Sequence, residues 1–248
     1  MRILAIGAHP DDIELGCGGS LAFFRKTGHQ TYALVLTRGE ASGDPSVREK
    51  ECRQAAEAIG VDKLFFSSLA DTKISDGVDT VRAIEDVIDT VGPDLIFTHS
   101  SKDAHQDHRN THLASMSAAR YASRVLLYES PAAMRDFCPQ AFIDISSTIT
   151  LKLKAVQAFN SQSRKPYING QKRPNDPCRD CEKYSQMSNA VAGLARYRGY
   201  QAGIELAEAF EVARYVIDVH GLPSTPVGIG NEGGRGNALS NTRIFNPR

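Results

Sequence analysis

Short apolar runs alternate with amphipathic stretches along the first half of the chain. Residues 2–7 (RILAIG), 30–36 (QTYALVL), 63–66 (KLFF) and 95–98 (LIFT) are rich in Ile, Leu, Val and Phe. They are bounded by Gly, Pro or Asp, and runs of this length predict buried strands. Between them the apolar positions recur at helical spacing. Val47, Cys52, Ala55, Ala56 and Ile59 form one stripe, followed by Gly60 as a C-cap. Val78, Val81, Ile84, Ile88 and Val91 form another, ended by Gly92-Pro93. Strand–helix–strand alternation implies right-handed crossovers and a parallel sheet with both faces covered. The predicted fold is therefore α/β and doubly wound.

The second half is less regular. Residues 124–128 and 142–145 predict strands, 147–159 a helix, 189–203 another helix, and 208–217 a last strand. Residues 164–183 (RKPYINGQKRPNDPCRDCEK) are polar and Pro-rich, as in a long surface loop. From 221 to 248 the chain is rich in Gly, Pro and Asn with little periodicity, which reads as a tail or as an arm onto a neighbouring subunit of a homo-oligomer. There is no internal repeat, so one domain over 1–220 followed by the 221–248 tail is expected.

Composition narrows the function. The 29 Lys and Arg balance 29 Asp and Glu, so nothing favours nucleic acid as a partner. No apolar run reaches the ~18 residues of a membrane span. The start turns polar at Asp11, too early for a signal peptide, and the five cysteines do not make a secreted disulfide framework. A cytoplasmic protein of 248 residues is expected, long enough to bury a core without staples.

Four of the seven histidines fall in two segments. Ala8-His9-Pro10-Asp11-Asp12 follows the first predicted strand, and His105-Gln106-Asp107-His108 with His112 follows the fourth. In open parallel sheets the carboxyl edge of the strands is where ligands bind. His9 and Asp12, three apart across a turn stiffened by Pro10, can converge on one point. A third ligand from the second segment would complete a two-His, one-carboxylate set with an open position, the pattern of catalytic rather than structural zinc. A water on such an ion has its pKa lowered, and Asp11 stands beside Asp12 as a base for its proton. His105, held protonated by Asp107, would stabilise an oxyanion and protonate a leaving group. His-Pro-Asp-Asp alone is also what a turn and a helix N-terminus require. The second His/Asp cluster at the same edge is what structural needs do not ask for.

These two motifs, with Ile13-Glu14-Leu15-Gly16-Cys17-Gly18-Gly19 after the first, resemble the LmbE-like (PIG-L) zinc deacetylases. Leu36-Thr37-Arg38-Gly39-Glu40, Arg48 with Glu51, residues 142–146 with Lys152 and Ser161-Gln162, and the stretch from Arg198-Gly199 to Ala207-Glu208-Ala209-Phe210 extend the similarity over about residues 2 to 217. The resemblance implies a Rossmann-like doubly wound, mostly parallel sheet and a hydrolase of linear amides. Its substrate would be a small N-acetylated amino sugar of the N-acetylglucosamine type. It further implies one Zn2+ per chain on His9, Asp12 and His108. Asp11 would be the base, His105 the acid oriented by Asp107, and Arg48 and Asp71 would contact the sugar. The sequence departs from the family where Gln106 stands in place of a proline, which removes no functional group.

Other candidates read more simply. Cys178-x-x-Cys181 has no second pair to close a tetrahedral site, which leaves a disulfide or free thiols beside a structural zinc. Gly16-x-Gly18-Gly19 lacks dinucleotide spacing and is better read as close packing at a helix start. His112 reads as a helix residue behind the site, His29 as a surface residue, and His99 at a strand end stays open as a neighbour of the site. Two further functions compete: an amidase of sugar–thiol conjugates, and a nucleotide-binding regulator built on the glycine-rich turn.

Overall fold

The computed structural model describes residues 1–163 and 186–217. Seven strands form one sheet in the order β3-β2-β1-β4-β5-β7-β6. They are β1 (Arg2–Gly7), β2 (Gln30–Val35), β3 (Lys63–Phe66), β4 (Leu95–His99), β5 (Arg124–Tyr128), β6 (Ala141–Asp144) and β7 (Ala207–Tyr215). The helices are α1 (Asp12–Lys26), α2 (Pro45–Ile59), α3 (Val78–Val91), α4 (Gln106–Ala118), α5 (Ile149–Ala158), α6 (Asn160–Ser163) and α7 (Gln186–Ala202). Strands β1 to β5 pair in parallel, and β7 lies antiparallel between β5 and β6. The doubly wound, mostly parallel α/β fold expected from the sequence is what forms, and Met1–Val216 makes one compact unit. The 164–183 loop with Cys178 and Cys181, and the 221–248 tail, lie outside the described residues.

Alternation of side chains divides the core. Ile3 and Ala5 of β1 join Ile13, Leu21, Cys52, Ala55, Ala155 and Phe159 under α1, α2 and α5. Leu4 and Ile6 of the same strand join Ile84, Ala114 and Ala118 under α3 and α4. Burial on both faces explains why these strands read as continuous apolar runs. Local chemistry sets the helix ends. Asp44 accepts from the Ser46 and Val47 amides at 2.8 and 3.3 Å ahead of Pro45, and Gly60 and Gly92 close α2 and α3 with φ of 77° and 57°. Among the described residues, no helix is long and apolar enough to cross a membrane.

α1 departs from the expectation. It begins at Asp12, so Gly16, Gly18 and Gly19 lie inside it rather than at its start. It breaks at Cys17 (φ −140°, ψ 18°), which leaves backbone groups without helical partners. Two distant residues satisfy them. Glu208 of β7 accepts from the Gly19 and Ser20 amides at 2.9 and 2.7 Å, as an N-cap would, and Lys152 of α5 donates to the Leu15 carbonyl at 2.7 Å while pairing with Glu208. The glycines pack as expected: a Cβ on Gly16 would lie 2.2 Å from the Tyr128 ring, and one on Gly19 would lie 2.9 Å from Ile145. They are buried in a helix and form no open cradle for a phosphate, which removes the structural basis of the nucleotide-binding alternative.

Gly16→Ala should therefore destabilise the protein by about 1–3 kcal/mol through overpacking against Tyr128. Urea denaturation of wild type and variant measures it, and an unchanged midpoint would show that the ring can move aside.

Candidate metal centre

Neighbouring strands β1 and β4 leave the sheet in opposite directions, β1 toward β2 and β4 toward β5. Their carboxyl ends thus flank the switch point at which open α/β sheets form a crevice. The chain after β1 carries His9, Asp11 and Asp12, and the chain after β4 carries Asp103, His105, Asp107 and His108. Both predicted histidine segments meet here.

Asp12 is the centre. One carboxylate oxygen lies 3.2 Å from His108 Nε2, and the other lies 3.3 Å from His9 Nδ1 and accepts from the His9 amide at 2.7 Å. Each histidine has carboxylates behind its opposite nitrogen. His9 Nε2 is 3.1 Å from Asp71 and 3.2 Å from Asp107, and His108 Nδ1 is 2.9 Å from Asp103. A carboxylate on the far nitrogen fixes which imidazole nitrogen faces inward and raises its basicity, which is how metal-ligating histidines are held. The donor chemistry suits a divalent cation: His9 Nδ1 and His108 Nε2 each approach one oxygen of the Asp12 carboxylate, and all three residues are buried. Among the described residues, the groups whose ligand atoms lie within reach of a common ion are His9–His105–His108, Asp12–His99–His108 and His9–Asp71–Asp107; the expected set of His9, Asp12 and His108 is shared out among them.

The electrostatics agree with this arrangement. Burial disfavours charge on His9, but its bonds to Asp107 and Asp12 prevail and raise its pKa to about 10. Burial opposes charge on His108 as well, and Asp12 and Asp103 likewise raise it to about 10. Burial pushes Asp12 up, but the charge of His108 and the hydrogen bonds from His108 and His9 outweigh it and hold it ionised. Burial and the Asp12 charge raise Asp11 to about 7, against the opposing pull of Arg48.

Asp11 owes its position to backbone strain. Its φ is 108°, a region costing a non-glycine residue about 1–3 kcal/mol and found mainly where the surroundings enforce it. Arg48 helps to enforce it: Nη2 donates to the Pro10 carbonyl at 2.6 Å and lies 3.4 Å from Asp11, while Nη1 donates to the Gly39 carbonyl at 3.2 Å. Thr72 is a second outlier, with φ 67°. Its amide donates to Asp107 at 2.8 Å and its carbonyl accepts from Gln106 Nε2 at 2.9 Å. The residue that replaces the family's proline thus clamps the loop carrying Asp71.

Three expected roles change. The Asp107 carboxylate is turned to His9 and Thr72; what holds His105 is the Asp107 backbone amide, donating to Nδ1 at 3.2 Å. The expected upward pull of Asp107 on His105 is present, but burial and the cationic His108 and His9 outweigh it and lower the His105 pKa. Asp71, expected at the sugar, is buried on His9 and accepts from the Ala41 amide at 3.0 Å. Arg48, expected at the sugar too, is buried among the Pro10, Gly39 and Asp11 groups it holds in place.

Two residues enter that sequence reasoning did not place. His99, left open, is fully buried, stacks on His108 at 4.0 Å and lies 3.2 Å from Asp12. Burial and the His108 charge lower its pKa to about 4, so it stays neutral. His112 sits behind it, with Nδ1 2.9 Å from the His99 carbonyl. Asp103 was missed altogether; its only sequence signal is an acid two residues before His105, and nothing in that spacing reveals its partners.

A metal held by His9 and His108 would have to displace their protons. Both pKa values stand near 10, so below that pH each proton competes with the cation, and affinity should rise with pH between 6 and 9. Calorimetry in buffers of different ionisation enthalpy should show protons released on binding. Binding without proton release would mean that these imidazoles are not ligands.

Comparison with known proteins fits this geometry. Residues 4–119 match the family model described as PIG-L, GlcNAc-PI de-N-acetylase. The uncharacterized deacetylase YaiS of Escherichia coli K12 is 38% identical over 167 residues, covering 64% of this chain and 90% of the relative. Diacetylchitobiose deacetylase of Thermococcus kodakarensis is 26% identical over 186 residues, covering 65% of this chain and 70% of the relative. The crystal structure of the conserved protein TT1542 from Thermus thermophilus superposes with a TM-score of 0.72 at 27% identity, covering 88% of this chain and 97% of that one. With the similarity to YaiS running over nine-tenths of that protein, the chain belongs to the PIG-L (LmbE-like) family.

Proposed function

We propose that the chain is a zinc-dependent hydrolase that removes the acetyl group from an N-acetylglucosamine-type amino sugar or its conjugate. One zinc per chain would be held by His9, Asp12 and His108. The observation that carries this reading is the convergence of His9 Nδ1 and His108 Nε2 on the two oxygens of Asp12, with Asp11 beside them at a pKa of about 7. Relatives named as deacetylases support the reaction class, and the diacetylchitobiose deacetylase supports an amino sugar as substrate.

The ion would supply Lewis acidity, which lowers the pKa of a water and polarises the amide carbonyl. The rest falls to side chains. Asp11 takes a proton from the attacking water onto its carboxylate, a transfer that works best when the base titrates near the operating pH. His105 is more exposed than His9 or His108. Its Nδ1 accepts the Asp107 amide, so the neutral ring carries its proton on Nε2 and presents it to the developing oxyanion. As the C–N bond breaks, the departing nitrogen gains its proton by way of His105 Nε2, and the proton that Asp11 took from the water balances it, giving acetate and a free amine. Arg48 and Asp71 act on the substrate indirectly, Arg48 by fixing Asp11 and Asp71 by fixing His9.

The assignment separates metal binding from proton transfer. His9→Ala, Asp12→Ala and His108→Ala should each drop zinc well below one per chain. Asp11→Asn should keep its zinc and lose ~10²–10⁴-fold in kcat on N,N′-diacetylchitobiose, with KM little changed. Zinc content by atomic absorption and amine release by fluorescamine measure the two. Full zinc in all three alanine variants, or near-normal turnover in Asp11→Asn, would place the ligands or the base elsewhere.

A further inference from the structure

Asp103 lies in the loop between β4 and α4, nearly fully buried, and nothing in the proposed reaction uses it. Its carboxylate does two things at once. One oxygen accepts from the His105 backbone amide at 2.7 Å, and the other accepts from His108 Nδ1 at 2.9 Å and from the Ser130 hydroxyl. Its backbone is fixed as well: Asp103 bridges to Ala133, and Arg109 donates to the Asp103 carbonyl at 2.8 Å.

We propose that Asp103 is the positioning residue of the metal centre, one carboxylate that sets the ring of His108 and the backbone of His105 together. This rests on the zinc reading above and assigns the residue that makes the His108 side of that site.

The argument is one of donors and acceptors. Every group aimed at the carboxylate is a donor: an amide N–H, an imidazole N–H and a hydroxyl. An ionised carboxylate has an acceptor on each oxygen and satisfies all of them. With Asp103 on Nδ1, the proton of neutral His108 is pinned there, so the lone pair of Nε2 points toward Asp12. The stacking of His108 between His99, at 4.0 Å, and His105, at 4.6 Å, limits tilting of the ring but does not choose its tautomer. That choice is made by the carboxylate. Because the other oxygen holds the His105 amide, any shift of Asp103 also moves the first residue of the motif relative to His108.

Asparagine is nearly isosteric but has only one acceptor. If its oxygen faces His108, its NH2 opposes the His105 amide; if it is flipped, it opposes the imidazole. In neither orientation does it carry the charge that makes His108 a stronger ligand. Asp71 and Asp107 hold the other histidine and cannot substitute.

The test reads the metal and the ring directly. In the zinc-loaded wild type, nitrogen-15 NMR of the histidines should show His108 bound to zinc through Nε2, with an exchange-protected proton on Nδ1. Asp103→Asn should weaken zinc, measured by chelator competition, by about 10–100-fold, the usual cost of losing a carboxylate behind a ligating histidine. It should also remove the protected Nδ1 proton. Ser130→Ala, which leaves both histidine bonds in place, should bind zinc within a few-fold of wild type. A merely structural Asp103 would lower the melting temperature while leaving affinity and the His108 spectrum unchanged in the folded protein, and that result overturns the proposal. Zinc bound through Nδ1 in the wild type overturns it even if the asparagine variant does not fold. Should the wild type take up no zinc, or His108→Ala keep it, the zinc reading falls, and this proposal with it. Normal, His108-dependent zinc in the wild type together with normal zinc in Asp103→Asn refutes the role of Asp103 alone.

Discussion

A carboxylate removed from water must be neutralised, protonated or surrounded by donors, and this protein buries Asp12, Asp71, Asp103 and Asp107 around one crevice, with Asp11 at its edge. Much of the local structure can be understood as the answer to that constraint. His9 and His108 stand between pairs of carboxylates, Arg48 braces Asp11, and backbone amides from His9, Ala41, Thr72 and His105 point at the acids. The same crowding keeps Asp12 ionised and lifts Asp11 toward neutrality, so two adjacent residues of one type acquire different protonation behaviour.

Strain concentrates where this network closes. Among the described residues, Asp11 and Thr72 are the non-glycine positions with positive φ, and each is tied to a neighbour of the crevice. Arg48 holds one and the first residues of α4 hold the other. Thr72 is β-branched and so poorly suited to its conformation. It is retained where its amide reaches Asp107, which in turn reaches His9.

The parallel part of the sheet was legible because strands covered on both faces leave unbroken apolar runs, as in β1 and β4, and because Gly60 and Gly92 mark helix ends. The antiparallel entry of β7 was not, since a strand's direction leaves no trace in its composition. The break of α1 was hidden for a related reason: its partners, Lys152 and Glu208, are far away in sequence. The same distinction holds at the centre. His9, Asp12 and His108 come together because strand ends at a switch point face a common space. Which acid holds which histidine was not found. Asp107 was matched to its sequence neighbour His105, whereas the fold turns it to His9, and Asp103 was passed over. Such pairings are decided by loop paths and a few tenths of an ångström, which spacing does not encode.

The dependence of α1 on Glu208 also orders events in time. The acceptor for the Gly19 and Ser20 amides lies 189 and 188 residues downstream, among the last residues of the compact unit to leave the ribosome. Until β7 inserts between β5 and β6, the helix that starts at Asp12 has an unfinished second half. A nascent chain already holding His9, Asp12 and His108 thus owns every proposed ligand without a rigid frame for them. Contacts of such long range form late and slowly. Completion of the crevice is accordingly coupled to completion of the sheet, and a chain interrupted before β7 would carry the full motif without the architecture that aims it.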